Sequence, residues 1–460
     1  MIDNKDIKFF EKLLGKENAY FDDAHKLAYC YDATKKRHLP DGVLFPRDES
    51  DVSAILKYCN ENKICIIPRG AGSGFTGGSL AVSGGIILGF EKHMNKIKEI
   101  DMQNLVAVVE PGAINLNIQK AVEAKGLFFP PDPASESYST IGGNVAENAG
   151  GMRAAKYGIT KDYVMALRAV LPNGDIIRAG KRTIKDVAGY NIAGILIASE
   201  GTLAVITEIT LKLIAKPKLK KTAMGVFDSV DDAMNAVYKT MASGVVPVAM
   251  EFLDNLCIRA VEEKFNKGLP KEAGALLIAD IDGNIEEQIE NDLKTLKESF
   301  LHNGAKEFIV AKDEKESGDI WFARRNCSQS INIYGTLKIN EDITVPRSKL
   351  PLLLQKIKEI SQKYSLTIPC FGHTGDGNVH TNVMVNKEDE DEVKRGYEAI
   401  EEIFKITIEL GGTLSGEHGI GLSKAPYMKM AFSDEELALF RRIKKAFDPN
   451  NILNPDKMGI

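Results

Sequence analysis

The clearest indication of the architecture is a glycine-rich segment, Pro68-Arg69-Gly70-Ala71-Gly72-Ser73-Gly74-Phe75-Thr76-Gly77-Gly78-Ser79. It follows a short apolar stretch, residues 64–67, which we predict to be a strand, and it opens a span, residues 69–89, that holds eight glycines. Glycine lets backbone N–H groups approach phosphate oxygens closely, because it has no side chain to keep a ligand at a distance. The segment therefore predicts a loop that cradles phosphate groups.

The same segment matches the dinucleotide pattern GxGxxG from Gly72 to Gly77, but this match alone has little weight. A Rossmann site requires a helix directly after the loop, whereas residues 80–90 contain three more glycines and read as loop and strand. A P-loop is excluded because the sequence has no GxxxxGK[ST] pattern. A plain surface loop is the remaining alternative, although so many glycines cost chain entropy without any packing gain.

A second glycine-rich block follows a proline run, residues 129–133, and spans residues 142–158. Its asparagines Asn144 and Asn148 offer amide groups that suit a pyrimidine edge or the hydroxyls of a ribityl chain. A large ligand threaded through two glycine-lined strips would use both blocks.

Composition narrows the class of protein. The chain has 460 residues, with 59 Lys and Arg against 64 Asp and Glu, and the net charge of −5 argues against a nucleic-acid groove or a polybasic membrane surface. The longest apolar runs, such as residues 192–198, fall far short of the ~20 residues that a membrane span needs. Residues 1–15 lack the apolar core of a secretory signal, so we expect a cytoplasmic protein.

The spacing of apolar residues gives a coarse view of the remaining chain. It predicts one helix over residues 8–30 and another over residues 51–62 with Ser50 as its cap. From residue 222 onward it predicts a sheet with helices on one face. The six cysteines form no CxxC pair, so neither an iron–sulfur cluster nor a structural zinc site is expected from this chain alone.

Three of the seven histidines lie in two compact motifs. The first is Gly372-His373-Thr374-Gly375-Asp376-Gly377-Asn378-Val379-His380-Thr381-Asn382, and the second is Ser415-Gly416-Glu417-His418-Gly419-Ile420-Gly421. Two histidines and a glutamate are a sound ligand set for a divalent ion that keeps open positions for a substrate. From the residues alone two interpretations stay open: a metal site, or a Glu417–His418 pair that simply hydrogen-bonds at a domain interface.

These motifs, together with Gly189-Tyr190-Asn191 and Ser199-Glu200-Gly201-Thr202-Leu203-Ala204-Val205-Ile206-Thr207, resemble a known family in order and content. The first half of the chain resembles the FAD-binding domain of the vanillyl-alcohol-oxidase (PCMH) fold, and the second half resembles its FAD-linked oxidase cap. The resemblance extends over about residues 35–460. It points to the FAD-linked 2-hydroxy-acid dehydrogenases, which include glycolate oxidase catalytic subunits, D-lactate dehydrogenases and D-2-hydroxyglutarate dehydrogenase.

The resemblance implies an α+β architecture. A PCMH-type FAD-binding domain of two α/β subdomains would be joined to a C-terminal FAD-linked oxidase cap domain with an antiparallel sheet and helices. The implied limits are an N-terminal helical segment over residues 1–34, the FAD-binding domain over 35–217, the cap over 218–440, and a C-terminal segment over 441–460 that returns to the FAD-binding domain.

The resemblance also implies FAD as the cofactor, with the pyrophosphate on the first glycine loop and the flavin on the second. The residues carried over to the pyrophosphate are Arg69, Gly70, Ala71, Gly72, Ser73, Gly74, Gly77, Gly78 and Ser79. Those carried over to the flavin and ribityl side are Pro131, Asp132, Thr140, Gly142, Gly143 and Asn148, and those on the adenine side are Gly201 and Ile206. Some relatives attach FAD covalently through a histidine in the first loop. Ser73 stands at that place here, so non-covalent FAD is expected.

The histidine motifs acquire roles through the same resemblance. His373, His380 and Glu417 become the ligands of a divalent metal (Zn, Mn or Fe), and His418 becomes the general base. Asn378 would contact the flavin edge, and Asn382 would contact the substrate.

An anionic substrate is indicated by Trp321-Phe322-Ala323-Arg324, which matches the WxxR segment of the family. Arg324 would bind the substrate carboxylate, which suits the fork of a guanidinium group. Arg325 stays open either as a surface cation or as the true ligand one position further on. Lys338 is a weaker carboxylate candidate, because its spacing to the following proline differs from that of the relatives by about two residues, and it could instead face solvent.

The implied reaction is the oxidation of a small D-2-hydroxy acid, D-lactate or glycolate, to the 2-oxo acid. The metal would assist loss of the hydroxyl proton to His418, and a hydride would pass to flavin N5. D-2-hydroxyglutarate is an alternative substrate whose second carboxylate would require an extra cation. Another flavin oxidase of this fold and a non-catalytic flavin subunit also compete, and the histidine motifs speak against both.

The electron acceptor has to be a separate partner, since the chain has no cysteine cluster to relay electrons. An iron–sulfur subunit, an electron-transferring flavoprotein, a quinone and a cytochrome all fit. We expect no nucleic-acid partner and at most a peripheral membrane contact through such an acceptor. A homodimer is compatible with this interpretation.

Overall fold

The computed structural model describes residues 2–460 and divides them into two compact units. The first unit contains the chain up to Gly150, then Ile159–Lys216 and Glu417–Ile460. The second unit contains Gly151–Gly158 and Pro217–Gly416. Met1, the first residue of the predicted N-terminal segment, lies outside the described residues.

The first unit is built on mixed and antiparallel sheets. A four-stranded sheet has the order Ala19–Tyr20, Gly42–Leu44, Ile86–Gly89, Ile66–Arg69, and its last three strands are parallel. An antiparallel five-stranded sheet has the order Ile97–Asp101, Val106–Val109, Val205–Lys212, Val164–Val170, Ile176–Gly180. A small ribbon pairs Ile214–Ala215 with Leu127–Phe128. These sheets confirm the α/β character expected of the FAD-binding part.

Helices cover these sheets. The α-helices of the first unit are Asn4–Leu14, Asp23–Ala28, Glu49–Asn62, Asn115–Glu123, Ile141–Glu147, Ile192–Leu196, Met428–Ala431 and Asp434–Phe447, and its 3₁₀ turns are Lys16–Asn18, Thr160–Asp162 and Ala425–Tyr427. Helix Glu49–Asn62 buries Val52, Ile55 and Leu56 in the same core cluster as Ile66 and Leu88 of the parallel strands. This packing fixes the strand end at which the first glycine loop begins.

Two details near the N-terminus differ from the sequence prediction. The single helix over residues 8–30 is wrong: Asn4–Leu14 stops at Gly15, whose φ is +84°, and Ala19–Tyr20 then pairs with strand Gly42–Leu44. Pairing with the sheet outweighs the local helical pattern here. The predicted cap Ser50 is also wrong, because Asp48 accepts the hydrogen bonds from the first amides of that helix.

The second unit is built on one antiparallel sheet of seven strands among the described residues. Their order is Ala305–Val310, Leu219–Phe227, Ala275–Gly283, Ala249–Asp254, Cys370–His373, Asn378–Val385, Leu337–Thr344. Its α-helices are Ala154–Tyr157, Val230–Ala242, Asn255–Phe265, Glu286–His302, Glu314–Ser330, Leu350–Tyr364 and Glu390–Glu409, and its 3₁₀ turns are Ile331–Tyr334 and Arg347–Lys349. The antiparallel sheet with helices confirms the predicted cap architecture.

The helices of the second unit lie on both faces of this sheet, so the prediction of helices on one face is wrong. Met224 and Val226 pack in one core cluster with the helices Asn255–Phe265 and Glu314–Ser330. Phe227, which points to the opposite face, packs against Phe300 of helix Glu286–His302 with ring centroids 5.5 Å apart. The apolar periodicity of a helix marks the side that it buries, but it does not contain the face of the sheet on which the helix packs.

Two further observations bear on the class of protein. Within residues 2–460, none of the helices combines the length and the apolar character that crossing a bilayer requires. The six cysteines, all within the described part of the chain, carry no disulfide bond.

Candidate active site

The first glycine loop begins where strand Ile66–Arg69 ends. Among the described residues 2–460, the backbone N–H groups of residues 70–79 find no hydrogen-bond acceptor. A run of backbone N–H donors without protein acceptors on one loop can bind the oxygens of an anionic ligand. This arrangement fits the phosphate oxygens of a dinucleotide.

Arg69 supports this loop from beneath. Its guanidinium is buried, donates through Nη2 to the carbonyl of Tyr31 at 2.7 Å and lies 5.5 Å from the ring centre of Tyr29. A side chain at Gly72 would clash with the same guanidinium. Arg69 therefore shapes the loop, and its cation lies directly under the free amides.

The second glycine block packs against the first. Thr140 begins the short helix Ile141–Glu147, and its Oγ1 accepts from the amide of Gly143 at 3.4 Å. A Cβ atom at Gly70 would clash with that Oγ1, and one at Gly142 would lie 2.7 Å from Cβ of Pro111. Gly70 is therefore required for the close approach of the two strips, and Gly142 for the contact of the second strip with Pro111.

A long cleft with about 1430 Å³ of atom-free space, part of it open to solvent, runs between these strips. The predicted cofactor residues on its wall are Arg69, Gly70, Ala71, Gly72, Ser73, Gly74, Gly78, Ser79, Thr140, Gly142, Gly143, Gly201 and Ile206. The volume and the two glycine walls fit a dinucleotide such as FAD.

The remaining predicted cofactor residues of the first unit lie behind the wall. The carbonyl of Pro131 accepts from the side-chain amides of Asn115 and Gln119 at 3.1 and 2.9 Å. Asn148 ends its helix in the left-handed region and accepts from the amide of Lys161. Asp132 is buried, and Gly77 packs next to Leu422. These residues hold the wall in shape.

The cleft has a buried carboxyl pair that the sequence did not suggest. Glu200 accepts from the amides of Ile420 and Gly421 at 2.7 and 2.8 Å, and Glu147 lines the cleft beside it. Burial, and next the charge of Glu200, raise the pKa of Glu147 well above its ordinary value. An acidic residue in a glycine-rich segment is normally expected to be solvent-exposed, so no local sequence pattern predicted this pair.

Glu417 and His418 line the same cleft. Thr76 Oγ1 donates to the carbonyl of His418 at 3.2 Å, and the rings of Phe75 and His418 are 5.2 Å apart. His418 Nε2 and Glu417 Oε1 are 4.0 Å apart, which is longer than a hydrogen bond. Gly419, at φ +79°, makes the turn after them.

In the second unit, His373 and His380 lie on neighbouring antiparallel strands, Cys370–His373 and Asn378–Val385. Both imidazoles are buried, and their Nε2 atoms are 3.4 Å apart. Two nitrogen ligands of one tetrahedral zinc at about 2.0–2.1 Å would be separated by about 3.3–3.4 Å. The two nitrogens therefore fit two corners of one metal site.

Glu251, on strand Ala249–Asp254, connects this pair to Arg324. Its Oε1 lies 2.6 Å from His373 Nδ1, and its Oε2 accepts from Arg324 Nε at 2.5 Å. Burial opposes ionisation, but His373 and Arg324 outweigh it and hold the pKa of Glu251 below its ordinary value. The sequence reasoning missed Glu251. The signal was a single acid in the middle of a buried apolar strand.

The sheet register explains how this face is assembled. Glu251 pairs with His373, and His373 pairs with Asn378. On the next strand His380 and Asn382 follow Asn378 at alternate positions, so all three point to the same side. One face of the sheet thus gathers residues that are far apart in sequence.

The predicted substrate residues lie on or near this face. Arg324 is 12% exposed, and its Cζ lies 4.6 Å from the ring centre of Phe371, whereas Arg325 is exposed and donates to the carbonyl of Gly318. Lys338 Nζ donates to Ser328 Oγ at 2.8 Å. The geometry favours Arg324 over Arg325 for an enclosed anion.

The predicted amide residues are buried. Asn382 Nδ2 donates to the carbonyls of Pro369 and His380 at 3.3 and 3.2 Å, and Asn378 Nδ2 donates to Thr344 Oγ1 at 3.0 Å. The Oδ1 atoms of both asparagines have no partner among the described residues. These bonds orient each side-chain amide and leave its Oδ1 available as an acceptor.

The free amides and the two-walled cleft of the first unit fit an FAD-dependent oxidoreductase. Family comparison gives the same class: residues 40–180 match the FAD binding domain family, and residues 216–458 match the FAD linked oxidases, C-terminal domain. The chain belongs to the FAD-linked oxidase family, and FAD is its cofactor.

Relatives support this assignment over the whole chain. The glycolate oxidase subunit GlcD of Bacillus subtilis is 43% identical over 99% of this chain and 97% of its own length. The D-lactate dehydrogenase of Anaerostipes hadrus is 36% identical over 91% and 89%, respectively. A mitochondrial D-lactate dehydrogenase [cytochrome] of Arabidopsis thaliana is 34% identical over 92% and 74%.

Solved structures agree on the fold. A p-cresol methylhydroxylase structure with substrate bound has a TM-score of 0.81 at 19% identity, covering 99% of this chain and 96% of that chain. An alkyldihydroxyacetonephosphate synthase structure has a TM-score of 0.78 at 18% identity, covering 99% and 85%. The predicted PCMH fold is therefore confirmed.

Proposed function

We propose that this protein oxidises a small D-2-hydroxy acid, D-lactate or glycolate, to the 2-oxo acid. The observation that carries the proposal is the convergence of His373 and His380, 3.4 Å apart, on a sheet face where Glu251 also holds Arg324. A metal next to a fixed guanidinium suits a substrate with a hydroxyl and a carboxylate on adjacent carbons. The names of the relatives, glycolate oxidase subunit and D-lactate dehydrogenase, support this substrate class.

Arg324 is proposed to bind the substrate carboxylate. Glu251 occupies its Nε, so the terminal nitrogens stay available for a bidentate interaction. Lys338 and Asn382 are proposed as further substrate contacts, and Asn378 as a contact to the flavin edge. The second carboxylate of D-2-hydroxyglutarate would require one more cation, and Lys338 on strand Leu337–Thr344 is the candidate.

His373, His380 and Glu417 are proposed as ligands of a divalent metal, Zn, Mn or Fe. When bound, the ion would lower the pKa of the substrate hydroxyl. The amide of Gly416 is fixed to Asp342 Oδ2 at 2.8 Å, and Asp342 stands opposite His380 in the sheet register. Glu417 follows Gly416 directly in the chain, which supports its place in the ligand set.

His418 is proposed as the general base. A neutral imidazole accepts a proton readily near pH 7, and the bond from Thr76 to its carbonyl fixes its backbone on the wall of the cleft. The hydroxyl proton goes to His418, and the Cα hydrogen leaves with two electrons. Bound FAD supplies the two-electron acceptor. The substrate thereby becomes a 2-oxo acid.

A separate electron acceptor is part of the proposal: an iron–sulfur subunit, an electron-transferring flavoprotein, a quinone or a cytochrome. Non-covalent FAD and the domain limits at residues 34, 217 and 440 are proposed on the family resemblance. A cytoplasmic location and a homodimer are proposed as compatible with it.

An anaerobic absorbance titration tests the function. D-lactate, L-lactate, glycolate and D-2-hydroxyglutarate are added in turn to the FAD-loaded protein, with and without EDTA. We expect D-lactate or glycolate to bleach the flavin band and EDTA to suppress the bleaching. Bleaching by D-2-hydroxyglutarate alone would move the proposal to that substrate, and a band that none of the acids bleaches would contradict the substrate class.

The same titration on the variant His418→Ala tests the role of the proposed base. It is expected to keep its yellow colour, because the cleft retains its glycine walls, and to lose substrate-dependent bleaching. Normal bleaching in this variant would remove His418 from the role of base.

A further inference from the structure

We propose that Glu251 is a positioning residue that couples metal binding at His373 to carboxylate binding at Arg324. The inference rests on the proposed function and adds to it a residue that touches neither metal nor substrate. Its basis is geometric: one carboxylate uses one oxygen for each partner, with Oε1 2.6 Å from His373 Nδ1 and Oε2 2.5 Å from Arg324 Nε.

The contact to His373 sets the tautomer of the imidazole. A carboxylate that accepts from Nδ1–H leaves the lone pair on Nε2, which is the atom that faces His380 at 3.4 Å. The same contact raises the basicity of the imidazole as a ligand. Without an acceptor at Nδ1, the ring could place its proton on Nε2 and would then repel a metal.

The contact to Arg324 sets the direction of the guanidinium. Glu251 holds Nε from one side while the ring of Phe371 lies 4.6 Å below Cζ, so the plane of the group is defined. Among the described residues, no other acceptor takes a hydrogen bond from Arg324. Its terminal nitrogens are therefore free for a carboxylate.

Charge balance links the two contacts. Glu251 is fully buried, and a buried carboxylate is tolerated only when it is paired. The positive charge of Arg324 provides that pairing at one oxygen, and the other oxygen of the same carboxylate contacts His373 Nδ1. Removing the charge of either Glu251 or Arg324 changes the environment of the other and of His373.

Zn²⁺ and pyruvate are the two probes of this coupling. Zn²⁺ affinity is measured by calorimetry on the FAD-loaded, metal-stripped protein, and pyruvate affinity is measured from the perturbation of the FAD spectrum. In Glu251→Gln we expect Zn²⁺ affinity to fall by about 10–100-fold, with a clear loss of pyruvate affinity and unchanged FAD content. Glu262→Gln is the control, because Glu262 is also buried but accepts only from the amides of residues 267–269.

Arg324→Lys gives a second, independent arm. Arg324 is not a proposed ligand, yet lysine cannot reproduce the Nε–H···Oε2 bond that fixes Glu251, so the coupling predicts that this variant binds Zn²⁺ more weakly than the parent protein. Glu251→Asp, one methylene shorter, is expected to lose at least one of the two affinities. These variants keep a charge at each position, so they test the coupling even where Glu251→Gln does not fold.

The results separate the inference from the function on which it rests. Parent-like Zn²⁺ and pyruvate affinities in folded Glu251→Gln or Arg324→Lys would overturn the coupling, even with a lower melting temperature. If the parent protein itself binds Zn²⁺ no better than His373→Ala does, the proposed metal site fails and the coupling is overturned with it. A retained pyruvate response in that case would leave the substrate class standing.

Discussion

Thr76 Oγ1 donates a hydrogen bond of 3.2 Å to the carbonyl of His418, which joins the first glycine loop to the segment that carries the proposed base. The carbonyl of Thr76 accepts in turn from the amides of Leu422 and Ser423 at 2.7 and 3.1 Å. One residue of the cofactor loop therefore fixes both ends of the turn that follows His418.

Replacing Thr76 by valine should slow substrate oxidation. Valine keeps the shape but removes the Oγ1 donor, and a buried bond of this kind contributes about 0.5–1.5 kcal/mol. We expect a roughly two- to tenfold lower kcat with full FAD occupancy, measured by steady-state kinetics with an artificial electron acceptor. Thr240→Val, which removes a helix-internal bond to Ala236, is the control and should leave kcat unchanged.

Gly74→Ala should weaken FAD binding without disturbing the fold. A Cβ atom at Gly74 meets nothing within 4 Å in the protein itself, so the free energy of unfolding of the apoprotein should change by less than about 0.5 kcal/mol. The added methyl group would enter the space in which we place the pyrophosphate, and FAD affinity should fall at least about tenfold, or about 1.4 kcal/mol.

Flavin fluorescence titration measures the affinity in this test. Gly318→Ala is the matched control, because a Cβ atom there also meets nothing within 4 Å and the site lies in helix Glu314–Ser330. An unchanged FAD affinity in Gly74→Ala would show that the pyrophosphate lies elsewhere.

Arg324→Lys should raise the KM for D-lactate or glycolate by at least about tenfold. Lysine retains a charge opposite Glu251, but it cannot form a bidentate pair with a carboxylate, and a hydrogen bond to a charged group contributes about 1.5–3 kcal/mol. Arg325→Lys should leave KM unchanged, since Arg325 is exposed and donates to Gly318. The reverse pattern would place the carboxylate ligand one residue further along the helix.

The stability of the protein should rise between pH 8 and pH 10 through Lys457. Its ammonium is buried and donates to the carbonyl of Leu80 at 2.8 Å, and burial lowers its pKa from 10.5 to about 8. Between these two values the folded state binds fewer protons than the unfolded state, so stability increases with pH. Below pH 8 the full cost, about 3 kcal/mol, is present.

Thermal unfolding of Lys457→Met at pH 7 and pH 10 measures this effect. The melting temperature of the parent protein should rise relative to that of the variant as the pH increases. Lys429→Met, at an exposed position, is the control. A parent and a Lys457→Met variant with parallel pH profiles would contradict the assigned burial of the charge.

The fold could be predicted from the sequence where it depends on patterns within a short segment of the chain. The two glycine blocks, the histidine motifs and the alternation of strands and helices are all local patterns. In the structure the two glycine blocks line one cleft, and His373 and His380 lie on neighbouring strands. The N-terminal segment was predicted less well, because pairing of Ala19 and Tyr20 with a distant strand interrupts a helical pattern. Pairing with a strand that is distant in sequence cannot be predicted from the pattern of a short sequence segment.

Glu251 and Glu147 are two residues of the candidate site that the sequence did not predict. Each is a single acid whose importance arises from partners more than fifty residues away: His373 and Arg324 for Glu251, and Glu200 for Glu147. A motif records residues at fixed spacing on one element. Neighbours across a sheet or a cleft are set by topology, which the spacing does not contain.

The interleaved path of the chain has a consequence for biosynthesis. Asn454 donates to the carbonyls of Gly78 and Glu200, and Leu453 forms a bridge with Ile66, so the first unit needs residues beyond 416 to complete the support of its cofactor loop. Residues 217–416 are translated in between, which takes about 10–40 s at 5–20 residues per second. During translation the FAD-binding unit therefore lacks these C-terminal contacts until the whole second unit has been synthesised.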